Sequence, residues 1–221
     1  MADTIKYSGR LIAVDGSRGK DVAAAANAVA AELERRGVEC GISRWDASGL
    51  FSELAASRDS RTISVRALSL VYAADLAFRL RWEIRPVLEA GGVVIAASYL
   101  DTAAAFGVGC GLSGAWLREL MRFAPAPHFQ ARARERKIDR PWKPRLDRGY
   151  AEYAALMLET SPAGAVSKDA RRAMMTALDD ARGRKVFELN DRGITALGKA
   201  LTDSRKAASR RSASRPHTAR K

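Results

Sequence analysis

The chain has 221 residues, of which 47% are hydrophobic, and it carries a formal net charge of +13. This length supports one substantial hydrophobic core, so we expect a single domain with a tail. No apolar run approaches the ~20 residues of a membrane-spanning helix, and the N-terminus has no basic-then-apolar secretion signal. The composition therefore argues against a membrane protein, and we expect a cytoplasmic one.

The positive charge is concentrated in two segments. Residues 132–148 contain eight basic against three acidic side chains, and residues 203–221 contain seven against one. The rest of the chain is close to neutral, as expected for an ordinary globular body. We therefore expect a domain over residues 1–203 with an exposed, lid-like basic segment at 124–148, followed by a disordered basic tail at 204–221.

Both basic segments are candidate binding surfaces for anions. In the lid-like segment the candidate anion-binding residues are Arg132, Arg134, Arg136, Lys137 and Arg140. A nucleic acid or an acidic protein would be the partner of such surfaces. The alternative is that both segments are solvated and bind nothing.

The cysteines and histidines do not indicate a metal site. Cys40 and Cys110 have neither metal-ligand spacing nor the spacing of a redox pair, and His128 and His217 form no cluster. The simplest interpretation is two reduced thiols, as is usual in the cytosol.

The chain begins with a strand, a glycine turn and a helix. Leu11–Val14 is a short apolar run typical of a buried strand, and Asp15–Gly19 forms the turn. In the helix that follows, Asp21 is placed to cap the first turn and Gly37 to end the last one. This is the architecture of a phosphate-binding loop, in which backbone N–H groups face the anion. The alternative is a strand-to-helix turn without a ligand.

Further strands alternate with helices along the chain. Apolar runs predict strands near 39–43, 93–97, 128–132 and 185–189. The strand at 93–97 should be central and the one at 128–132 should lie at an edge. Helical periodicity predicts helices near 65–90, 115–123, 150–159, 168–182 and 190–201. The first of these is kinked or restarted at Pro86, and a Gly-rich loop precedes the second at 107–114. Such alternation predicts an α/β fold with a doubly wound parallel sheet.

Several motifs in the first 125 positions carry a family resemblance. Tyr72-Ala73-Ala74-Asp75 is followed, eleven residues after Asp75, by Pro86, and then by the strand that begins at Val93. This run resembles one in the thymidylate kinase family of P-loop nucleoside monophosphate kinases, and so does the segment 99–106. The resemblance implies a P-loop NTPase fold, ATP with Mg²⁺ as the phosphoryl donor, a deoxynucleoside monophosphate such as dTMP as the acceptor, and a homodimer packed through long helices.

The residues that the resemblance makes chemically important are replaced in this chain. Without gaps, the phosphate-binding lysine of the family falls on Val22 and its magnesium-binding hydroxyl falls on Ala23. The Asp-Arg of the family's Asp-Arg-Tyr motif falls on residues 97–98, which are Ala and Ser, and the arginine that grips the acceptor phosphate falls on Leu76.

A shifted alignment is the alternative. It makes Gly19 and Lys20 the motif's Gly-Lys pair, leaves the loop two residues short and places Asp21 at the magnesium position. A carboxylate there would compete with a phosphate for the N–H groups of the helix.

Two groups of residues remain candidates for a nucleotide site. The nucleotide-binding candidates are Asp15, Gly16, Ser17, Arg18, Gly19, Lys20 and Asp21. The acceptor-site candidates, implied by the resemblance, are Arg44, Asp75, Tyr99 and Asp101. Arg44 and Asp101 are also the remaining candidates for a catalytic role. Surface and capping roles are the alternative for these side chains.

The sequence favours a thymidylate kinase-like protein that has lost phosphoryl transfer and acts by binding a nucleotide, a nucleic acid or a protein. A working nucleotide kinase with an unusual loop is the second hypothesis. The third is a nucleic-acid-associated protein that uses the lid and tail, with the domain as a scaffold.

Overall fold

Five strands form a single parallel sheet in the order β2-β3-β1-β4-β5 in a computed structural model of the chain. The strands are β1 (Arg10–Asp15), β2 (Cys40–Arg44), β3 (Val93–Ala97), β4 (Phe129–Ala133) and β5 (Val186–Leu189). The structure describes residues 7–16, 19–50, 53, 64–109, 111–133 and 186–213. The prediction of an α/β fold with a parallel sheet is confirmed, and the architecture is that of a P-loop NTPase-like domain.

Helices cover both faces of this sheet. They are α1 (Gly19–Arg35), α2 (Val65–Arg79), α3 (Arg85–Glu89), α4 (Leu100–Gly109), α5 (Gly114–Leu120) and α6 (Asp191–Ala213), with a π-helical turn, Leu80–Ile84, between α2 and α3. Within the described residues, none of these helices has the length and apolarity needed to cross a bilayer. The helices predicted near 150–159 and 168–182 lie outside the described residues.

The two faces of the sheet form two hydrophobic cores. Along β1, Leu11 and Ala13 pack with α2, α3 and α4, whereas Ile12 and Val14 pack with α1 and α6. Every residue of β3 is buried. Because β1 and β3 are covered on both faces, their sequences are continuous apolar runs.

The ends of α1 and α6 follow from local sequence. Gly37 has φ of 70°, and Val38 N donates to the Leu33 carbonyl at 2.9 Å, so a left-handed glycine ends α1 as predicted. Asn190 caps α6, since its Oδ1 accepts from Gly193 N at 2.9 Å. Asp21 is not a cap, because α1 begins at Gly19 and Asp21 therefore lies inside its first turn.

Two predictions, the edge position of β4 and the loop at 107–114, were wrong because tertiary contacts override the local sequence pattern. Strand β4 is interior, since it pairs with β1 on one side and β5 on the other. The predicted Gly-rich loop at 107–114 is partly helical, because α4 continues to Gly109. A Cβ at Gly107 would lie 2.6 Å from Leu117 Cδ1, so glycine there lets α4 approach α5 closely.

The basic tail also differs from the prediction. Helix α6 continues to Ala213 instead of ending near Leu201, so residues 204–213 are helical. Ala, Lys and Arg are strong helix formers, which is why a segment without large apolar residues can extend a helix that is already packed. Residues 214–221 lie outside the described residues.

His128 joins β4 to β1 in a way that depends on pH. Its Nδ1 accepts a hydrogen bond from Leu11 N at 3.1 Å, which requires an imidazole with an unprotonated Nδ1. Partial burial, with a smaller contribution from the charge of Arg10, lowers the pKa of His128 below its usual 6.5. Since the folded state then binds this proton less tightly than the unfolded state, the free energy of unfolding should fall as pH drops from about 6.5 through the folded-state pKa.

Urea unfolding between about pH 5 and pH 8 measures this pH dependence. His128→Asn retains a hydrogen-bond acceptor but cannot be protonated in this range. The free energy of unfolding of the variant should therefore fall less below about pH 6.5 than that of the wild type. Equal pH slopes for both proteins would show that His128 does not contribute.

Candidate functional site

The carboxyl ends of β1 and β3 mark the place where a ligand would be expected. The chain leaves β1 toward α1 on one face of the sheet, and it leaves β3 toward α4 on the other. Neighbouring strands whose connections diverge in this way create a crevice at the sheet edge, which is where open α/β sheets bind ligands. Asp15, Gly16 and Gly19 border this crevice on one side, and residues 98–102 border it on the other.

Internal hydrogen bonds close the crevice between these two strand ends. The buried Oδ1 of Asp15 accepts from Tyr99 N at 2.8 Å, from Thr102 N at 3.0 Å and from Thr102 Oγ1 at 2.7 Å. Gly16 N in turn donates to Thr102 Oγ1 at 3.2 Å. Burial raises the pKa of Asp15, although the three donors favour its ionised form. Asp15 therefore caps α4 from inside the protein, where a bound anion would have competed for the same N–H groups.

The turn between β1 and α1 is short. Only three residues, 16–18, separate the end of β1 at Asp15 from the start of α1 at Gly19, and Ser17 and Arg18 lie outside the described residues. Gly19, Lys20 and Asp21 form the first turn of the helix. Helix α1 thus begins at Gly19, the first residue of the Gly-Lys pair in the shifted alignment.

Val22 occupies the interior of this turn. Its side chain is 2% exposed and belongs to the core cluster beneath α1. The Cγ2 atom of Val22 would lie 2.9 Å from a Cβ placed on Gly16, so the valine packs directly against the turn. The position that the resemblance assigns to the phosphate-binding lysine is therefore a core position.

The other replaced positions are also apolar or buried. Leu76 is fully buried in the core beside α2, and Ala97 and Ser98 are buried at the end of β3. The half-buried Ala23 offers no oxygen to a metal. At the positions that the alignment without gaps assigns to the motif, the described side chains of Val22 and Ala23 supply neither its cation nor its metal ligand.

Asp75 holds the loop after β2. Its buried carboxylate accepts from Asp46 N at 3.0 Å, from Ser48 N at 3.0 Å and from Ser48 Oγ at 2.9 Å. Burial raises the pKa of Asp75. This predicted acceptor-site residue thus has a structural role in fixing the loop that such a site would use.

Arg79 is a site residue that the sequence analysis missed. It is fully buried, and its guanidinium donates to Ser43 Oγ at 2.9 Å and to the carbonyls of Ser43 and Ser98 at 3.0 Å. It thereby ties the end of β2 to the residue after β3. Its charge also opposes the rise in pKa that burial imposes on Asp15 and Asp75. The available signal was an arginine that directly follows the apolar residues Leu76, Ala77 and Phe78 in the predicted helix.

The remaining candidates are spread along the same edge. Exposed Arg44 donates to Asn27 Oδ1 at 2.8 Å, and Asp101 accepts from Gln130 Nε2 at 3.0 Å. Buried Tyr99 donates its hydroxyl to the Pro125 carbonyl at 2.8 Å. Arg132 lies near the end of β4, whereas Arg134, Arg136, Lys137 and Arg140 lie outside the described residues. Among the residues that the structure describes, no group of three His, Cys, Asp or Glu side chains could hold a metal ion.

Comparison with known proteins identifies relatives but no matching family model. The chain is 42% identical over 69 residues to a probable thymidylate kinase of Pyrococcus abyssi, which is 31% of this chain and 34% of that protein. It is 30% identical over 129 residues to a probable thymidylate kinase of Thermococcus gammatolerans, covering 54% of this chain and 62% of the relative. A thymidylate kinase of Clavibacter sepedonicus is 43% identical over 63 residues, or 28% of this chain and 30% of that one.

The chain is similar to thymidylate kinases over part of its length. This confirms the predicted resemblance at modest identity, and the matches span less than two thirds of each of these relatives. The parallel sheet with flanking helices agrees with the P-loop NTPase-like α/β fold that the resemblance implies.

Proposed function

We propose that this thymidylate kinase-like protein has lost phosphoryl transfer and acts by binding. The observation that carries the proposal is the burial of Val22 against Gly16 at the position of the family's phosphate-binding lysine. Phosphoryl transfer depends on positioning the phosphates and neutralising their charge. A core valine supplies neither function.

The closed crevice supports the same conclusion. Asp15 places a carboxylate on the N–H groups of Tyr99 and Thr102, and Gly16 N is bonded to Thr102. A nucleotide phosphate entering here would have to displace these bonds. Turnover of ATP with dTMP by the purified chain tests the proposal, and we expect turnover close to the uncatalysed background.

A working kinase is the second candidate, and one observation favours it. Helix α1 begins at Gly19, so Lys20 stands in its first turn, as the lysine of a phosphate loop would. ATP and Mg²⁺ would then be the donor complex and a deoxynucleoside monophosphate the acceptor. Lys20→Ala separates the candidates, because only a working kinase would lose turnover.

The proposal extends to assembly as a homodimer through α2. Leu70, Phe78 and Trp82 are exposed by 50%, 40% and 65% along one run of α2 and the π-helical turn. Large apolar side chains at such spacing form a stripe, and a stripe exposed on a helix is best covered by a second copy of the same stripe.

Trp82→Glu combined with Phe78→Glu should convert a dimer into a monomer at micromolar concentration, as measured by sedimentation velocity. Leu50→Glu is the control, since Leu50 is exposed outside the stripe. A wild-type chain that sediments as a monomer at this concentration would contradict the dimer.

A further inference from the structure

Helix α2 and the π-helical turn after it have two sides with different roles. The exposed side carries a row of residues spaced four positions apart, Arg66, Leu70, Ala74, Phe78 and Trp82. The buried side carries polar residues that bond to the crevice edge, Tyr72, Asp75 and Arg79. The two sets of residues belong to the same helical turns, so a partner that packs on the exposed side also restrains the buried side.

Asp75 holds the loop that follows β2 from the buried side of α2. Its carboxylate accepts from Asp46 N and from Ser48 N, both at 3.0 Å, and from Ser48 Oγ at 2.9 Å. At the start of the same loop, the half-buried Trp45 packs against the core cluster that contains α2. The order of this loop therefore depends on the position of α2.

Two further side chains of α2 hold the ends of β2 and β3. Arg79 donates to the carbonyls of Ser43 and Ser98 at 3.0 Å, and the hydroxyl of Tyr72 donates to the carbonyl of Tyr99 at 2.9 Å. The ends of two neighbouring strands are thus bonded to one helix. Local opening of α2 would release both of them together.

The exposed row is complementary to a second copy of itself in antiparallel orientation. A two-fold axis midway between Ala74 and Phe78 places each Phe78 against the small Ala74 of the other copy, and each Trp82 against Leu70. A parallel arrangement would place the two Trp82 side chains against each other and leave space between the two alanines. Large side chains that face small ones fill an interface to native density. The row therefore favours an antiparallel second copy.

We propose that antiparallel pairing of two copies along α2 orders the crevice edge, so that the binding site is complete only in the dimer. A copy packed on Ala74 and Phe78 restrains the turns that carry Asp75 and Arg79. Ordering at one site then lowers the cost of ordering at the other, which couples the two sites through local opening equilibria. This inference rests on the homodimer of the proposed function and adds the regulation of the site to it.

Hydrogen–deuterium exchange of the full-length chain, read by mass spectrometry above and below the dissociation constant of the dimer, tests this coupling. Backbone amides of residues 45–49 should exchange about fivefold or more slowly in the dimer, which is the lower end of typical coupling between two sites. Residues 24–31 of α1 lie on the other face of the sheet and are the internal control. At short labelling times, before global unfolding contributes, their exchange should not depend on concentration.

Two variants separate pairing from local damage. Leu70→Glu interrupts the row nine residues before Arg79, so its loop should exchange at the monomer rate at both concentrations. Ala31→Glu adds the same charge at an exposed position of α1 and should behave as the wild type. A dimer whose loop is not protected would overturn the inference and leave the homodimer standing. A wild-type chain that stays monomeric would overturn both, and a Leu70→Glu chain that stays dimeric would overturn the assignment to this row.

Coupling between two sites is reciprocal, so loosening the loop should also weaken the dimer. Ser48→Ala removes one of the three hydrogen bonds that Asp75 accepts and leaves the exposed row unchanged. Sedimentation velocity should show a higher dissociation constant for this variant. Ser204→Ala, which removes the hydrogen bond from Arg10 on another helix, should keep the wild-type value. An unchanged dissociation constant in Ser48→Ala, together with faster exchange of its loop, would overturn the coupling.

Discussion

Turnover of ATP with dTMP by the purified chain should lie roughly 10⁴-fold or more below that of a functional thymidylate kinase assayed beside it. Removing one preorganised electrostatic contact typically costs about 10²- to 10³-fold in rate. The side chains at the positions of the lysine, the metal-binding hydroxyl and the acceptor arginine are Val22, Ala23 and Leu76. Such losses are not additive, so the expected deficit is smaller than their product. The measurement is ADP formation in the presence of Mg²⁺.

Two variants make this result interpretable. Lys20→Ala should leave the background rate unchanged. The variant Asp21→Gly, Val22→Lys, Ala23→Thr restores the family's residues, but its lysine enters the core cluster of α1, where an unpaired ammonium is costly. We therefore expect this variant to lose stability without gaining turnover. Wild-type turnover near one per second that Lys20→Ala abolishes would contradict the proposal and establish the shifted alignment.

Arg79→Met should destabilise the fold by about 3–5 kcal/mol, which is in the range for breaking a buried charge network. The substitution leaves the Ser43 and Ser98 carbonyls without their buried donor. It also removes the positive charge that opposes the burial-driven rise in the pKa of Asp15 and Asp75. The folded-state pKa of both carboxyls then rises further, so the loss of unfolding free energy grows as pH increases through the already raised folded-state pKa values of the wild type.

Urea unfolding of Arg79→Met beside Arg81→Met gives the comparison. Arg81 is an exposed arginine two positions away, and its replacement should change the free energy of unfolding by no more than about 0.5 kcal/mol. Equal effects from the two substitutions would show that the buried guanidinium does not join β2 to β3. A loss of unfolding free energy that does not change with pH would show that the pKa values of Asp15 and Asp75 do not depend on Arg79.

The sequence by itself determined the main elements and their order. Leu11–Val14 and Val93–Ala97 could be recognised because burial on both faces requires unbroken apolar runs. Gly37 could be placed at the end of α1 because helix ends depend on local backbone geometry. The parallel sheet followed from strands that alternate with helices.

Only the tertiary structure decided which strands lie inside the sheet and where the helices stop. Arg132 in β4 suggests a strand at the edge of the sheet. However, β4 pairs with β5, a strand that begins more than fifty residues later in the chain. Gly107 and Gly109 suggest a loop. However, Leu117 packs against Gly107, and helix α4 continues through both glycines. Partners distant in sequence supply these contacts, and no local pattern encodes them.

Contacts between residues distant in the sequence also explain why the observed site differs from the predicted one. Residue types could show that the lysine, the hydroxyl and the arginines of the family are missing, because that is a property of single positions. They could not show that Asp15 caps α4, that Asp75 fixes the loop after β2, or that Arg79 is buried between two strand ends. The role of a charged side chain depends on its burial and on the donors and acceptors that surround it, and folding brings these together from distant parts of the chain.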